Sequence, residues 1–590
     1  MFDARLYRAA LVPAVLALVV AAFSLQNRPH AVGSSQPADA FDAKQAMTYL
    51  SDMAQRFPDR RPGSTGDEGL ADYVAASLAR PALGGERPFD VTKEHFDAQT
   101  IDGKRTLTNV VATRAGRPGP GLLVVAHRDA AQSGGAQAQL SATATLLELG
   151  RVFADGRLSR TTTLVSTSGG SGGNAGAGRL AQTVPGPIDA VLVLGDVAGQ
   201  ASARPMVVAT SNGRGFAPLQ LQRTVEQAVR EEASVDPGEL AASDQFARLA
   251  LPFSPDEQGT LLKDGLPAVL LQVSGERGPA GENALAPGRL ESFGRSALRA
   301  ITALDSGPTL SGTAAPDLVV LDKVMPGWAV LLLVGSLLLA PLLLGIDGCA
   351  RVRRRGGRVL AWVGWTTATA LPFLLAAASI VLMAAGGVLT PRPGAPLLPG
   401  LVPVAAGPLL LVAFVFLLGW GLRFLIVRGL GIHGAALRED GAGPATLLVL
   451  AVTAAVLCVV NPYAAALIVI ATHVWIPVLA PGVRVRRGLG FTLVVLALIP
   501  VVLVLLSLAD QLGYGPGQFA WALVLAIGGG QPGVLMWILW SLVFGSTVAV
   551  AILSIRGQPD PQARPEVTVR GPLSYAGPGS LGGTSSGFRR

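Results

Sequence analysis

Leu122-Leu-Val-Val-Ala-His-Arg-Asp129 is five apolar residues running without a break into His127, Arg128 and Asp129. A run this short and unalternating reads as a buried strand. The stretch Thr145-Leu-Leu-Glu-Leu-Gly-Arg-Val-Phe153 then follows with helical spacing. From about Ala40 to Leu304 such β-rich runs alternate with amphipathic helix patterns, which predicts an α/β domain. At roughly 265 residues it has ample length for its own core.

The rest of the chain is of another kind. Half of the 590 residues are apolar, 15% are charged and the mean hydropathy is +0.47, against about 25% charged in ordinary globular chains. Apolar runs of membrane-spanning length recur in the C-terminal half, so a purely soluble or a mostly disordered chain is excluded. The two cysteines, Cys349 and Cys458, lie in or beside apolar spans and build no disulfide framework. The formal charge is +8, but residues 26–325 hold 28 Lys and Arg against 32 Asp and Glu, and the remainder 19 against 7. The excess sits beside apolar spans, in Arg351, Arg353, Arg354, Arg355 and Arg358 and in Arg484, Arg486 and Arg487. That is the positive-inside pattern and not a nucleic-acid surface.

Arg5 and Arg8 precede an apolar stretch from Ala9 to Phe23, read as a signal anchor within residues 1–25. Seven further spans are expected near 327–346, 359–389, 402–422, 444–460, 463–480, 489–508 and 531–555. Eight crossings place the arginine-rich loops and the tail in the cytoplasm and export residues 26–325, in a multi-pass plasma-membrane protein. Residues 306–325 read as a linker, rich in Ser, Gly, Thr and Pro up to Pro316. All eight tryptophans lie in the membrane part. Residues 518–533, with Gly528-Gly-Gly-Gln-Pro-Gly533, read as an interhelical loop, with a re-entrant segment or a broken helix as the alternative. His473 reads as a neutral histidine hydrogen-bonded between helices, and the tail 557–590 as disordered. The high Gly, Ala, Pro and Arg content fits a GC-rich bacterium.

Four stretches in order resemble the co-catalytic zinc aminopeptidases of metallopeptidase family 28. They are Arg61-Pro-Gly-Ser-Thr-Gly66 with the helix pattern after it, Leu107-Thr-Asn-Val-Val-Ala112, the opening stretch with its helix, and Leu192-Val-Leu-Gly-Asp196 with Gly265-Leu-Pro-Ala-Val-Leu-Leu271. The resemblance implies a three-layer α/β/α domain, which the apolar spans join to an all-α bundle of about eight spans in total. It also implies two zinc ions, five ligands and a glutamate base. By that resemblance His127 is the first histidine ligand, Asp129 the carboxylate orienting its ring, and Asp196 a further ligand. The bridging aspartate falls at Ala138, the acidic pair of base and ligand at Gly170 and Ser171, and the last histidine at Gln258. His127 and Asp196 remain as weak candidates for a metal.

Substitutes are few. His30 and His95 lie before the site, Asp244 in Ser243-Asp-Gln-Phe246 again precedes a glutamine, and Asp256 and Glu257 read as a solvated acidic turn. Gly169 to Gly178 follows a strand but lacks the Lys-Ser/Thr ending of a phosphate loop. Ser141, Ser168 and Ser171 have no second histidine for a hydrolase triad. The expectation is a membrane-anchored, catalytically inactive aminopeptidase-like protein without cofactor, serving as an extracytoplasmic binding or scaffold module in the bilayer with a protein or peptide partner. The layout is similar to that of the peptidase-like subunit of the eukaryotic GPI transamidase, which implies an assembly handling peptide or lipid-linked substrates. The alternatives are an active zinc aminopeptidase, and a transporter or channel with an accessory ectodomain.

Overall fold

The computed structural model describes residues 2–34, 37–80, 89–131, 137–156, 158–278, 284–310, 312, 314–389, 396–397, 400–432, 439–481, 483 and 485–556. The expected disordered tail, and Gly135 and Ala136 before Ala138, lie outside these described residues.

The strands in chain order are β1 (Gln26–Asn27), β2 (Asp90–Thr100), β3 (Gly103–Arg114), β4 (Arg117–His127), β5 (Arg160–Thr167), β6 (Ile188–Leu194), β7 (Val207–Val208), β8 (Ala268–Leu271), β9 (Leu318–Val320) and β10 (Lys323–Met325). Seven of them form one sheet in the order β2-β3-β5-β4-β6-β8-β7. Its centre, β5, β4, β6 and β8, is parallel, and β2, β3 and β7 run antiparallel to their neighbours. Side chains alternate between the faces of a strand. Leu122, Val124 and Ala126 therefore join the core under the helices Ala43–Arg56, Leu140–Asp155 and Pro287–Ser306, while Leu123 and Val125 meet Leu180, Leu261 and Leu262 on the other face. The unbroken apolar run of β4 is the mark of a strand covered on both sides. Asp42 and Ser64 cap the helices Ala43–Arg56 and Thr65–Leu78 by accepting amide hydrogens of their first turns.

Seven helices are long and apolar enough to cross a membrane: Ala4–Phe23, Gly327–Arg354, Val359–Ala385, Ala406–Gly429, Ala442–Val460, Arg487–Leu512 and Val534–Ile555. They mark the chain as a membrane protein. The stretch expected as a span at 463–480 is a 13-residue helix, Pro462–Val474, and a short one, Ile476–Leu479, broken at Trp475. Pro477 lacks the amide a continuous helix needs there. Residues 518–533, expected as a loop, contain most of the helix Pro516–Gly528, and only the Gly-Gly-Gln-Pro-Gly part turns. Pro516 at its first turn and the apolar run to Ile527 favour that helix. The expected linker carries β9 and β10, which pair with β1 in a second sheet joining the exit of the first helix to the entry of the second.

Ala10, Ala14, Ala17 and Ala21 are the buried face of the first helix, a small-residue stripe that lets it lie close to Gly327–Arg354. His473 donates from Nε2 to the carbonyl of Leu337, 3.2 Å away, and accepts at Nδ1 from the Tyr7 hydroxyl at 2.8 Å. The Leu337 carbonyl has no helical donor because Pro341 stands four residues on. The histidine thus repairs a proline break between three helices.

The sheet domain is fastened to the helices by polar contacts. Asn461 caps Pro462–Val474 through its oxygen and donates its amide to the carbonyls of Leu249 and Ala250, at the end of the helix Ala242–Ala250. Arg248 Nε reaches Gln511 Oε1 at 2.6 Å, and Ser507 Oγ donates to Asp244 at 2.7 Å.

Candidate functional site

The parallel strands all end on one edge, where open α/β sheets form clefts. His127 closes β4 opposite Thr167 of β5, and Asp196 lies just past the end of β6. His127, Asp196, Gly170, Ser171 and Asp256 line one cavity of about 30 Å³. Of the sequence-derived site positions, the structure therefore brings His127, Asp196, Gly170 and Ser171 together.

Asp129 is fully buried, but it does not hold the histidine ring through its carboxylate. His127 Nδ1 lies 3.2 Å from the main-chain oxygen of Asp129 and 3.8 Å from its nearest carboxylate oxygen. The carboxylate instead accepts the amides of Gly170 at 2.9 Å and Ser171 at 3.0 Å, and the Ser171 hydroxyl. The role that the resemblance implies for Asp129 is replaced by that of a cap on the glycine-rich turn after β5. A Cβ at Gly170 would collide with the Cβ of His127, so this backbone leaves no room for a carboxylate there.

Ala138 is buried in the single turn Gln137–Gln139, and its carbonyl accepts the Ser141 hydroxyl, which in turn accepts the amide of Val197. Gln258 is fully buried and donates from Nε2 to Ser254 Oγ at 2.8 Å. Asp196 Oδ1 accepts the amides of Ala198 at 3.0 Å and Gly199 at 2.7 Å. Burial raises its carboxyl above the ordinary range, partly opposed by these bonds.

Asp256 and Glu257 are not a solvated turn. Glu257 is 2% exposed; its Oε1 accepts the Thr167 hydroxyl at 2.6 Å, and its Oε2 is buried without a partner, as is Oδ2 of Asp256. Burial raises both carboxyls first of all; Glu276 and Glu257 add to it for Asp256, while His127 opposes it for Glu257. The sequence did carry a signal: Thr260-Leu-Leu continues the acidic pair into the short helix Glu257–Lys263, which packs on the sheet. Asp244 meets Ser507 instead of the cavity, His95 Nδ1 pairs with Thr108 on β3 at 2.8 Å, and the His30 carbonyl accepts from Gln220.

The buried Arg128 donates to the carbonyls of Asp67, Ser166 and Thr108 and pairs with the Asp67 carboxylate at 2.9 Å. It clamps the helix Thr65–Leu78 to β3 and to the end of β5. Among the described residues no three His, Cys, Asp or Glu side chains form a group able to hold a metal ion. With alanine, glycine, serine and glutamine at four positions and Asp129 engaged elsewhere, the residues present do not fit a pair of zinc ions.

No family model and no curated protein matches the chain. Among solved structures, the sheet domain resembles a glutaminyl cyclase of Porphyromonas gingivalis, with 16% identity and a TM-score of 0.32 over 44% of this chain and 98% of that one. It also resembles BSAP, a zinc aminopeptidase from Bacillus subtilis, with 11% identity and a TM-score of 0.36 over 46% and 98%. The LapA aminopeptidase of Legionella pneumophila gives 13% and 0.36 over 47% and 76%. Likenesses this weak decide nothing about chemistry, which has to come from this chain's own residues.

Proposed function

We propose that the chain is a membrane-anchored, aminopeptidase-like protein whose cleft binds and does not cleave, an extracytoplasmic scaffold module for a protein or peptide partner. The observation that carries this reading is the use made of Asp129, whose carboxylate is spent on the Gly170 and Ser171 amides while Gly170 presses against His127. A metallopeptidase needs its water-activating carboxylate at that turn, aimed at an open coordination face. A second reading, hydrolysis on a rebuilt metal site, has one observation in its favour: the unpartnered oxygens of Asp256 and Glu257 near His127. The two readings part on activity. Supplied with zinc, the purified full-length chain should hydrolyse aminoacyl anilides no faster than its His127→Ala variant. Turnover clearly above that variant would establish the second reading.

The arginine distribution supports an extracytoplasmic sheet domain and a cytoplasmic C-terminus. Eight crossings follow if Pro462–Val474 and Ile476–Leu479 together cross. Asn461 at one end meets the sheet domain and His473 near the other meets Tyr7, close to the start of the first helix.

A further inference from the structure

The mouth of the His127 cavity is built by residues from the other half of the molecule. Pro396 and Leu401, from the connection between the helices ending at Ala385 and starting at Ala406, line it together with His127, Asp196 and Asp256. Their neighbours Leu397 and Val402 are buried in an apolar cluster with Leu389, Trp521 and Leu525, against which Ile101 of the β2–β3 turn packs. The main chain is pinned at both points: Tyr514 donates its hydroxyl to the Leu397 carbonyl at 2.8 Å, and Trp521 Nε1 donates to the Val402 carbonyl at 3.1 Å. Beside it Arg277 donates to the Asp510 carbonyl at 2.7 Å. What remains inside has room for about one or two waters and for no peptide side chain.

We propose that the partner of this cleft is the chain itself: Pro396 and Leu401 sit in its mouth, with Leu397 and Val402 buried behind them, and make it the joint that fixes the sheet domain on the helices. This inference rests on the reading that the cleft binds and does not cleave. It explains why Asp256 is shielded although its sequence context is polar, and why two tethering hydrogen bonds converge on a connection between helices. The cleft face is then an internal interface, and a protein or peptide partner of the scaffold docks outside the cleft.

The test uses the full-length protein in native membranes, where Cys349 and Cys458 are buried and leave a quiet thiol background. On prolonged exposure the pair Gln139→Cys with Leu401→Cys should be joined by a short bismaleimide, while Arg117→Cys, exposed at the opposite end of β4, with Leu401→Cys should not. Gln139→Cys alone should react with a membrane-impermeant maleimide far more slowly than exposed Lys104→Cys, and adding Leu401→Asp should speed it about tenfold by opening the joint. Tyr514→Phe, which removes one tether and keeps the ring, should give a smaller acceleration in the same direction. A Gln139→Cys thiol as reactive as Lys104→Cys, or the absence of cross-linking in the first pair, would overturn the joint. Zinc measured on the same preparations separates the two ideas: stoichiometric zinc beneath a shielded thiol overturns the non-catalytic reading alone, and a zinc-free chain with a freely reactive thiol overturns the joint alone.

Discussion

Arg128 shows how one residue can carry both fold and site. It lies between His127 and Asp129, and all its charge is used inward, on Asp67 and three carbonyls. A buried charge stripped of its partner is far more costly than the pair is favourable. Arg128→Met should therefore destabilise the sheet domain by about 3–5 kcal/mol, by leaving Asp67 buried and alone. Asp67→Asn in the same chain should recover a large part of that loss. Pulse proteolysis across a urea series measures both; equal stabilities for Arg128→Met and the parent would refute the clamp. The zinc position tells the complementary story. The strand Thr163–Thr167 and the glycine-rich turn after it, with Gly170 and Ser171, were legible in the sequence. That Asp129 then turns to their amides was not legible, since it depends on the conformation of a turn more than forty residues away.

At the scale of elements, the sequence was most informative where periodicity was strong. The unalternating run Leu122–Ala126 specified a buried strand, and the apolar runs specified the long helices. It was least informative where a contact arrives from far along the chain. Asp256 looks solvated until Pro396 and Leu401 are placed over the cavity, and β1 is only two residues long, legible as a strand only once β10 lies beside it. The helix Pro516–Gly528 was hidden by its own flanking glycines and prolines. The junction of Ala242–Ala250 with Pro462–Val474 is likewise long-range, and it hangs on one side chain. Asn461→Leu removes the cap of one helix and the donor to two terminal carbonyls of the other, a loss of about 1–3 kcal/mol. Hydrogen exchange should then quicken at the amides of Tyr463 and Ala464 and around Leu251. Unchanged exchange there would show that the junction is held by its apolar contacts, with Phe246 against Tyr463 foremost.

At the scale of the whole molecule, apolar helices of membrane-spanning length flank the sheet domain at both of its ends, and the proposed joint seats it on them through its own cleft. Protease applied to intact spheroplasts should digest the sheet domain and spare a tag placed after Arg590. Loss of the tag under the same conditions would reverse the sidedness. The central claim is chemical, that the cleft no longer carries a metal, and linkage gives it a sharp test. A metal bound only to the native state stabilises it by RT ln(1 + [L]/Kd), which vanishes when affinity is low. His127 and Asp196 offer two ligands where a catalytic zinc takes three from the protein. The measurement is the metal content of the purified full-length chain after mild dialysis, together with its melting temperature with and without a strong chelator. The account predicts no stoichiometric zinc and an unchanged melting temperature. One or more tightly held zinc ions per chain, or a fall of about 5 °C or more on chelation, about 2 kcal/mol for a domain of this size, would contradict it.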